Sequence, residues 1–207
     1  MKKVLFIAII FLGLTNLNAQ KARFGIKGGL NVANLDYSGS SVSPTLKSNI
    51  SFNAGILVEI MVAKKVAIQP ELFYSAQGTN FEYQVISNGA VINTNNTINL
   101  NYINLPVMLK FYAAPKFNLE FGPQVSFLTD ASLVTKALGQ SITQDGKKLF
   151  TNNDFGLNFG ASFEFTKDFF FNFRYYQGLT NISKTQPGDD STFKNNVLSF
   201  GLGYKFK

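Results

Sequence analysis

Apolar side chains recur at every second position in this chain, stretch after stretch, with small or polar residues between them. Phe24, Ile26, Leu30 and Val32 alternate with Arg23, Gly25, Lys27, Gly29 and Asn31, and Phe52, Ala54, Ile56, Val58 and Ile60 with Asn53, Gly55, Leu57 and Glu59. The same rhythm sets Val66, Ile68, Leu72 and Tyr74 against Gln69, Glu71, Ser75 and Gln77, and Ile103 to Phe111 against Asn104, Met108 and Lys110. It continues through Phe117 to Phe127, opposed by Asn118, Glu120, Gly122, Gln124 and Ser126, and through Phe155 to Phe165, opposed by Gly156, Asn158, Gly160, Ser162 and Glu164. Phe169 to Tyr175 oppose Asn172, Arg174 and Tyr176, and Leu198 to Phe206 oppose Ser199, Gly201, Gly203 and Lys205. Successive side chains of a strand point to opposite faces, so each stretch predicts a strand with one apolar and one polar face.

The connections between these strands alternate in length. Long polar segments (Ala33–Ile50, Asn80–Thr97, Asp130–Asn153, Gln177–Asn195) take turns with short ones (Val62–Lys65, Ala113–Lys116, Thr166–Asp168). That order predicts an eight-stranded antiparallel up-and-down transmembrane β-barrel, with long outer loops, short periplasmic turns and both mature termini periplasmic. A soluble lipocalin-like barrel would carry the same alternation with the apolar face turned inward. Its polar face would meet water and be rich in Lys, Glu and Asp, whereas here that face is rich in Gly, Asn and Ser, which suits a narrow eight-stranded lumen. Pro70, Pro106 and Pro123 fall inside strands, and each is expected to mark a bulge, because its missing N–H removes a ladder bond.

The N-terminus carries an export signal. Lys2 and Lys3 precede an apolar Val4–Leu14, and Leu17-Asn18-Ala19 ends on a small residue, predicting a cleaved signal peptide over residues 1–19 and one barrel domain over 20–207. No later window approaches the roughly 20 apolar residues that a membrane helix requires. The chain has no cysteine, so neither a lipid anchor at the cleavage site nor a disulfide framework is available.

Charge changes the picture in two places. On the polar faces, Arg23, Lys27, Lys110, Arg174 and Lys205 stand against Glu59, Glu71, Glu120 and Glu164, all near a short turn or a terminus. They are expected to stack in one half of the lumen and to pair, since an isolated buried charge is strongly disfavoured. Lys110 should face Glu120, and Lys27 and Lys110 should neutralise the like-charged Glu59 and Glu71. The set reads as a structural plug of ion pairs, with a gated or proton-conducting path as the sharper reading. The net charge of +7 includes Lys2 and Lys3, and the remaining excess falls on the short-turn rim (Lys21, Lys64, Lys65, Lys116, Lys167, Lys207), where inner-leaflet phospholipid is the expected neighbour. A continuous basic patch with aromatic platforms, which nucleic-acid binding requires, is missing.

The chain contains no histidine and no cysteine, which removes Ser-His and Cys-His nucleophiles and the usual zinc ligand sets. No catalytic, cofactor or metal site is expected. Asp189-Asp190 after Pro187-Gly188 reads as a solvated loop tip, and Gly28-Gly29 lies within a strand with no helix after it, so it is no phosphate cradle.

Several local sequences together resemble the small outer-membrane barrel proteins of the PorT type found in Bacteroidota. They are Phe24-Gly25-Ile26-Lys27-Gly28-Gly29-Leu30-Asn31, Ile68-Gln69-Pro70-Glu71-Leu72 with Tyr74-Ser75 and Gly78, Tyr102-Ile103-Asn104-Leu105-Pro106, Gly122-Pro123, and Arg174-Tyr175-Tyr176-Gln177-Gly178-Leu179-Thr180-Asn181-Ile182. The resemblance implies a barrel in the outer membrane of a Gram-negative cell, and ties some members to protein secretion. The combined expectation is a monomeric, non-enzymatic barrel without cofactors, surrounded by outer-membrane lipid, with a structural or surface-interaction role through its outer loops. An accessory barrel of a secretion system with envelope partners, a narrow channel, and a soluble lipocalin-like carrier are the alternatives.

Overall fold

A computed structural model describes residues 22–39, 45–87, 90–184 and 190–206. The signal segment 1–19, Gln20, Lys21, Pro187–Asp189 and Lys207 lie outside the described residues. The chain forms β1 (Ala22–Ser38), β2 (Leu46–Ala63), β3 (Val66–Ser87), β4 (Ala90–Ala114), β5 (Phe117–Ala137), β6 (Gln140–Asp145), β7 (Asn153–Glu164), β8 (Phe169–Gly178) and β9 (Thr192–Lys205). Every pairing is antiparallel between neighbours, β9 returns to β1, and β5 passes over the short β6 to pair with β7, so eight strands close into a ring. Closure leaves the ring no free edge.

The apolar face points outward. Phe24, Ile56, Leu105, Leu109, Leu119, Phe121, Phe159 and Leu202 are exposed around the wall, while Asn31, Asn53, Gln69, Asn104, Asn158 and Asn172 are buried inside it. A water-soluble carrier would reverse these faces, so the lipocalin-like alternative is rejected on geometry. Near the short turns, Phe165 stacks on Phe169, which meets Tyr204 edge-on, and Tyr204 in turn meets Phe206. This cluster is part of the aromatic girdle expected at a membrane interface.

Two sequence expectations require correction. Much of the polar sequence expected to loop outside is strand: β3 and β4 run paired from Asn80↔Thr97 to Ser87↔Ala90, and β5 continues into a hairpin with β6. The β-branched and amide side chains there find cross-strand partners, so the backbone stays in the ladder and projects as a sheet. The prolines, in turn, do not bulge. The paired positions skip Val58–Glu59 opposite Gln69–Pro70, Glu71–Leu72 opposite Leu105–Pro106, and Val107–Met108 opposite Gly122–Pro123, yet register is identical on both sides of each gap. Each proline removes bonding toward one neighbouring strand, and the long ladders on either side hold the alignment. The bulges occur elsewhere, between Ser48 and Asn53, Met61 and Ala63, Asn101 and Tyr102, and Tyr112 and Ala114.

A sealed lumen beneath a projecting sheet: the candidate functional site

The lumen is filled in three layers. At the short-turn end lies a charge network built from side chains of all eight strands of the ring. Glu71 receives Lys27 Nζ at 2.5 Å and both terminal nitrogens of Arg174 at 2.9 Å, the bidentate fork that best matches a carboxylate. Arg174 also reaches Glu120 at 2.6 Å, and Ser162 donates to the same carboxylate. Glu59 receives Lys110 at 2.8 Å and Lys205 at 2.7 Å, and Lys205 bridges to Glu164 at 2.6 Å. The Tyr112 hydroxyl lies 2.8 Å from both Glu59 and Glu164, its one proton shared between them, and Lys110 donates to Gln69 Oε1 at 3.0 Å. Lys110 and Glu120 are register partners at 3.9 Å, farther apart than Lys110 and Glu59.

Eight of the nine charged residues singled out in the sequence thus meet in one network. Arg23 stands apart. It pairs with Asp168 at 3.0 Å and the Lys167 carbonyl at 2.6 Å, tying the start of β1 to the β7–β8 turn. With Arg23 neutralised at the rim, Lys27, Lys110, Arg174 and Lys205 balance Glu59, Glu71, Glu120 and Glu164.

Two inward aromatics complete this layer. Phe73 lies opposite Gly55 with Lys27 Nζ 4.5 Å from its ring, and Phe170 lies opposite Gly203 with Lys205 Nζ at 5.3 Å and Lys110 Nζ at 5.8 Å. A Cβ at Gly55 would meet the Phe73 Cβ, and one at Gly203 the Phe170 ring, so these glycines make room for aromatic faces over the ammonium groups. The signal for them was a break in alternation: in Leu72-Phe73-Tyr74 and Phe169-Phe170-Phe171 the middle residue must face inward.

Amides form the middle layer. Asn53 donates to Asn31 at 2.6 Å, Asn31 to Ser75 at 3.0 Å, and Asn158 to Gln124 at 3.1 Å. Above them Asp154 accepts from Thr180 at 2.6 Å, Asn195 at 2.8 Å and Tyr176 at 3.0 Å. The outer layer is apolar: Leu35, Leu100, Tyr102, Leu128 and Ala131 from the wall enclose Phe150 and Ile182 from two outer connections. Those connections bond across the mouth, with Thr151 N donating to the Ile182 carbonyl at 2.7 Å and Lys184 N to the Leu149 carbonyl at 2.8 Å. Phe150 and Ile182 sit in segments without alternation, where no periodic signal could reveal them.

Beyond the mouth, β3, β4, β5 and β6 project as an open sheet. Among the described residues, no group of three or more His, Cys, Asp or Glu side chains could hold a metal, and no helix is long and apolar enough to cross a membrane.

An outward apolar wall around a polar, sealed lumen defines a small transmembrane β-barrel. The model of the outer membrane protein beta-barrel domain family matches residues 18–184, and the chain belongs to that family. Its fold is similar to that of neisserial surface protein A, with a TM-score of 0.51 at 15% identity over 90% of this chain and 99% of that one. Ail, the attachment invasion locus protein of Yersinia pestis, aligns with a TM-score of 0.47 at 13% identity, over 90% of this chain and 99% of that one. OprG of Pseudomonas aeruginosa aligns with a TM-score of 0.46 at 16% identity, over 90% and 97%. No curated protein sequence matches the chain.

Proposed function

We propose that this outer-membrane barrel is a non-enzymatic surface-interaction protein that presents β3–β6 to the exterior. The observation that carries the reading is the contrast between a lumen closed at every level and strands that continue well past the mouth. The closed lumen disfavours a channel, and the two carboxylates that accept from hydroxyls, Glu120 from Ser162 and Asp154 from Thr180, are buried in the packed layers. In this reading the signal peptide is removed and both mature termini lie in the periplasm, which is supported by the bond from Phe206 N to the Phe24 carbonyl that joins the end of β9 to the start of β1 beside the short turns. The charge network acts as a structural plug, and the protein works as a monomer, since its apolar outer belt is matched to lipid.

The test replaces Glu82–Asn95 and Leu133–Gln144 by tight turns, which removes the projecting sheet and leaves the wall. Outer-membrane vesicles carrying the wild type are expected to adhere to cell and glycan-coated surfaces more than vesicles carrying the truncated, still folded barrel. Equal adherence overturns the reading.

A second reading, an accessory barrel of the PorT type in protein secretion, is favoured by the periplasmic mouth. That opening, of about 540 Å³, is lined by Arg23, Lys64, Lys65 and Tyr112 together with Glu59 and Glu164; the exposed Lys64 and Lys65 on its rim suit an acidic envelope partner. Crosslinked partners recovered from native membranes that include secretion components would support it.

A further inference from the structure

We propose that the outward face of the projecting sheet is a binding site for neutral oligosaccharide, centred on Asn93 and Asn95; this rests on the reading of the sheet as an interaction surface. Register sets Glu82, Asn95, Lys136 and Ser141 in one row across β3, β4, β5 and β6, with Gln84 and Asn93 paired in the next. Over these rows run two hollows of about 260 and 400 Å³, and both are lined by Asn93 and Asn95, so they form one continuous groove. Gln140 and Ser141 line its far end.

The lining has the chemistry of sugar recognition. A side-chain amide offers donors and an acceptor in one plane, which matches the alternating donors and acceptors of vicinal hydroxyls. Gln84 Nε2 donates to Asn93 Oδ1 at 3.0 Å, which fixes both side chains and leaves the Asn93 NH₂ group available to donate. The Asn95 side chain has no hydrogen-bond partner among the described residues, and all of Asn93, Asn95, Gln140 and Ser141 are exposed. Side chains held before binding lose less entropy on binding.

The two faces of this sheet differ in a way that ordinary solvation does not require. On the opposite face Thr94 donates to the Tyr83 carbonyl at 2.9 Å, Asn96 to Thr94 at 3.1 Å, and Thr135 to Asn96 at 2.8 Å, so its polar groups satisfy one another. The outward row keeps its amides available. Charge selects the ligand class: Glu82 is paired with Lys47 at 2.8 Å, and Lys136 is the one cation among the described residues that line the groove. A sulfated polyanion would demand a basic cluster, and a nucleic acid a basic stripe with stacking aromatics. An uncharged polyhydroxylated ligand fits without either.

The experiment uses the full-length folded barrel in nanodiscs against immobilised neutral hexose and N-acetylhexosamine oligosaccharides, with heparin fragments as the charged comparison. Binding to at least one neutral oligosaccharide is expected, with affinity unchanged between low and high salt. N95A is expected to weaken it about tenfold, and Q84A with N93A by a similar factor, the scale of losing one hydrogen bond that desolvated groups had made. S132A, on the same face but outside the groove, should bind as the wild type does. Each variant is checked for heat-modifiable migration, so that a folding defect is not read as lost binding. No neutral oligosaccharide bound, preferential salt-sensitive binding of heparin, or full binding by N95A would each overturn the proposal. Vesicle adherence that depends on the projecting sheet while no neutral oligosaccharide binds would overturn this inference alone and leave the surface-interaction reading standing.

Discussion

Arg174 is the residue on which the lumen network turns, because it joins Glu71 to Glu120 directly across the barrel. Removing one partner of a buried pair leaves the other charge desolvated, so Arg174→Met is expected to lower stability by about 3–5 kcal/mol. Adding Glu120→Gln should recover part of the loss, read from unfolding midpoints in urea. The contacts of Lys110 add a finer expectation: coupling in a double-mutant cycle should be larger with Glu59 than with Glu120, matching 2.8 Å against 3.9 Å. A different residue-scale effect follows from close packing. Gly203→Val would drive a side chain into the Phe170 ring, and overpacking of this kind costs about 1–3 kcal/mol. Phe170→Leu in the same chain should relieve it. Between the charge and amide layers, Gln77 Oε1, Asn104 Oδ1, Asn172 Oδ1 and Arg174 Nε are buried without partners among the described protein atoms, around a cavity of about 20 Å³. Such a cavity admits one water, which can donate twice and accept once. A crystal structure that resolves solvent is therefore expected to show a single internal water within reach of Arg174 Nε.

Elements differ in which solvent each face meets, and substitution separates them. Arg in place of Phe159 or Val107, on the lipid-facing side of β7 and β4, is expected to destabilise by about 2–4 kcal/mol if near mid-membrane, whereas Ser132→Arg on the projecting part of β5 should cost little. Equal unfolding midpoints for all three would show that the faces are assigned wrongly. The β5–β6 hairpin turns through Leu138 and Gly139, at φ 51° and 77°, the left-handed pair of a tight two-residue turn. Leu138 is 81% exposed and carries no packing role, so Leu138→Asn or Leu138→Gly should preserve or raise stability by removing strain from a side chain that disfavours positive φ.

For the whole molecule, closure of the ladder satisfies backbone groups that lipid cannot. The protein is expected to fractionate with outer membranes and to migrate faster on gels when unheated than when boiled. Recovery in a soluble fraction without detergent would contradict this. The three filled layers predict no stable conductance in planar bilayers, and a steady current through the wild type would revive the channel alternative. Paired charges, amides and the Phe150–Ile182 seal all act in series, so removing the outer seal alone should not open a path.

The number of strands in the ring, their phase and the choice between lipid and water as the outer solvent could be read directly from the sequence. All three depend on period-two alternation and on the composition of the polar face, which are local properties. The same locality assigned nine charges to one end of the lumen, since each lies a few residues from a turn or terminus; eight meet there, and Arg23 pairs instead at the rim. Which carboxylate each cation meets was decided only by the closed ring, because Arg174 and Glu71 are 103 positions apart in the chain and lie on strands that do not pair. The prolines misled for a related reason: a lost N–H is a local fact, but whether register slips depends on the ladders around it. Phe150, Ile182 and the groove over Asn95 were decided by tertiary structure alone, since connections without alternation carry no phase, and a groove spanning four strands exists only after those strands have paired.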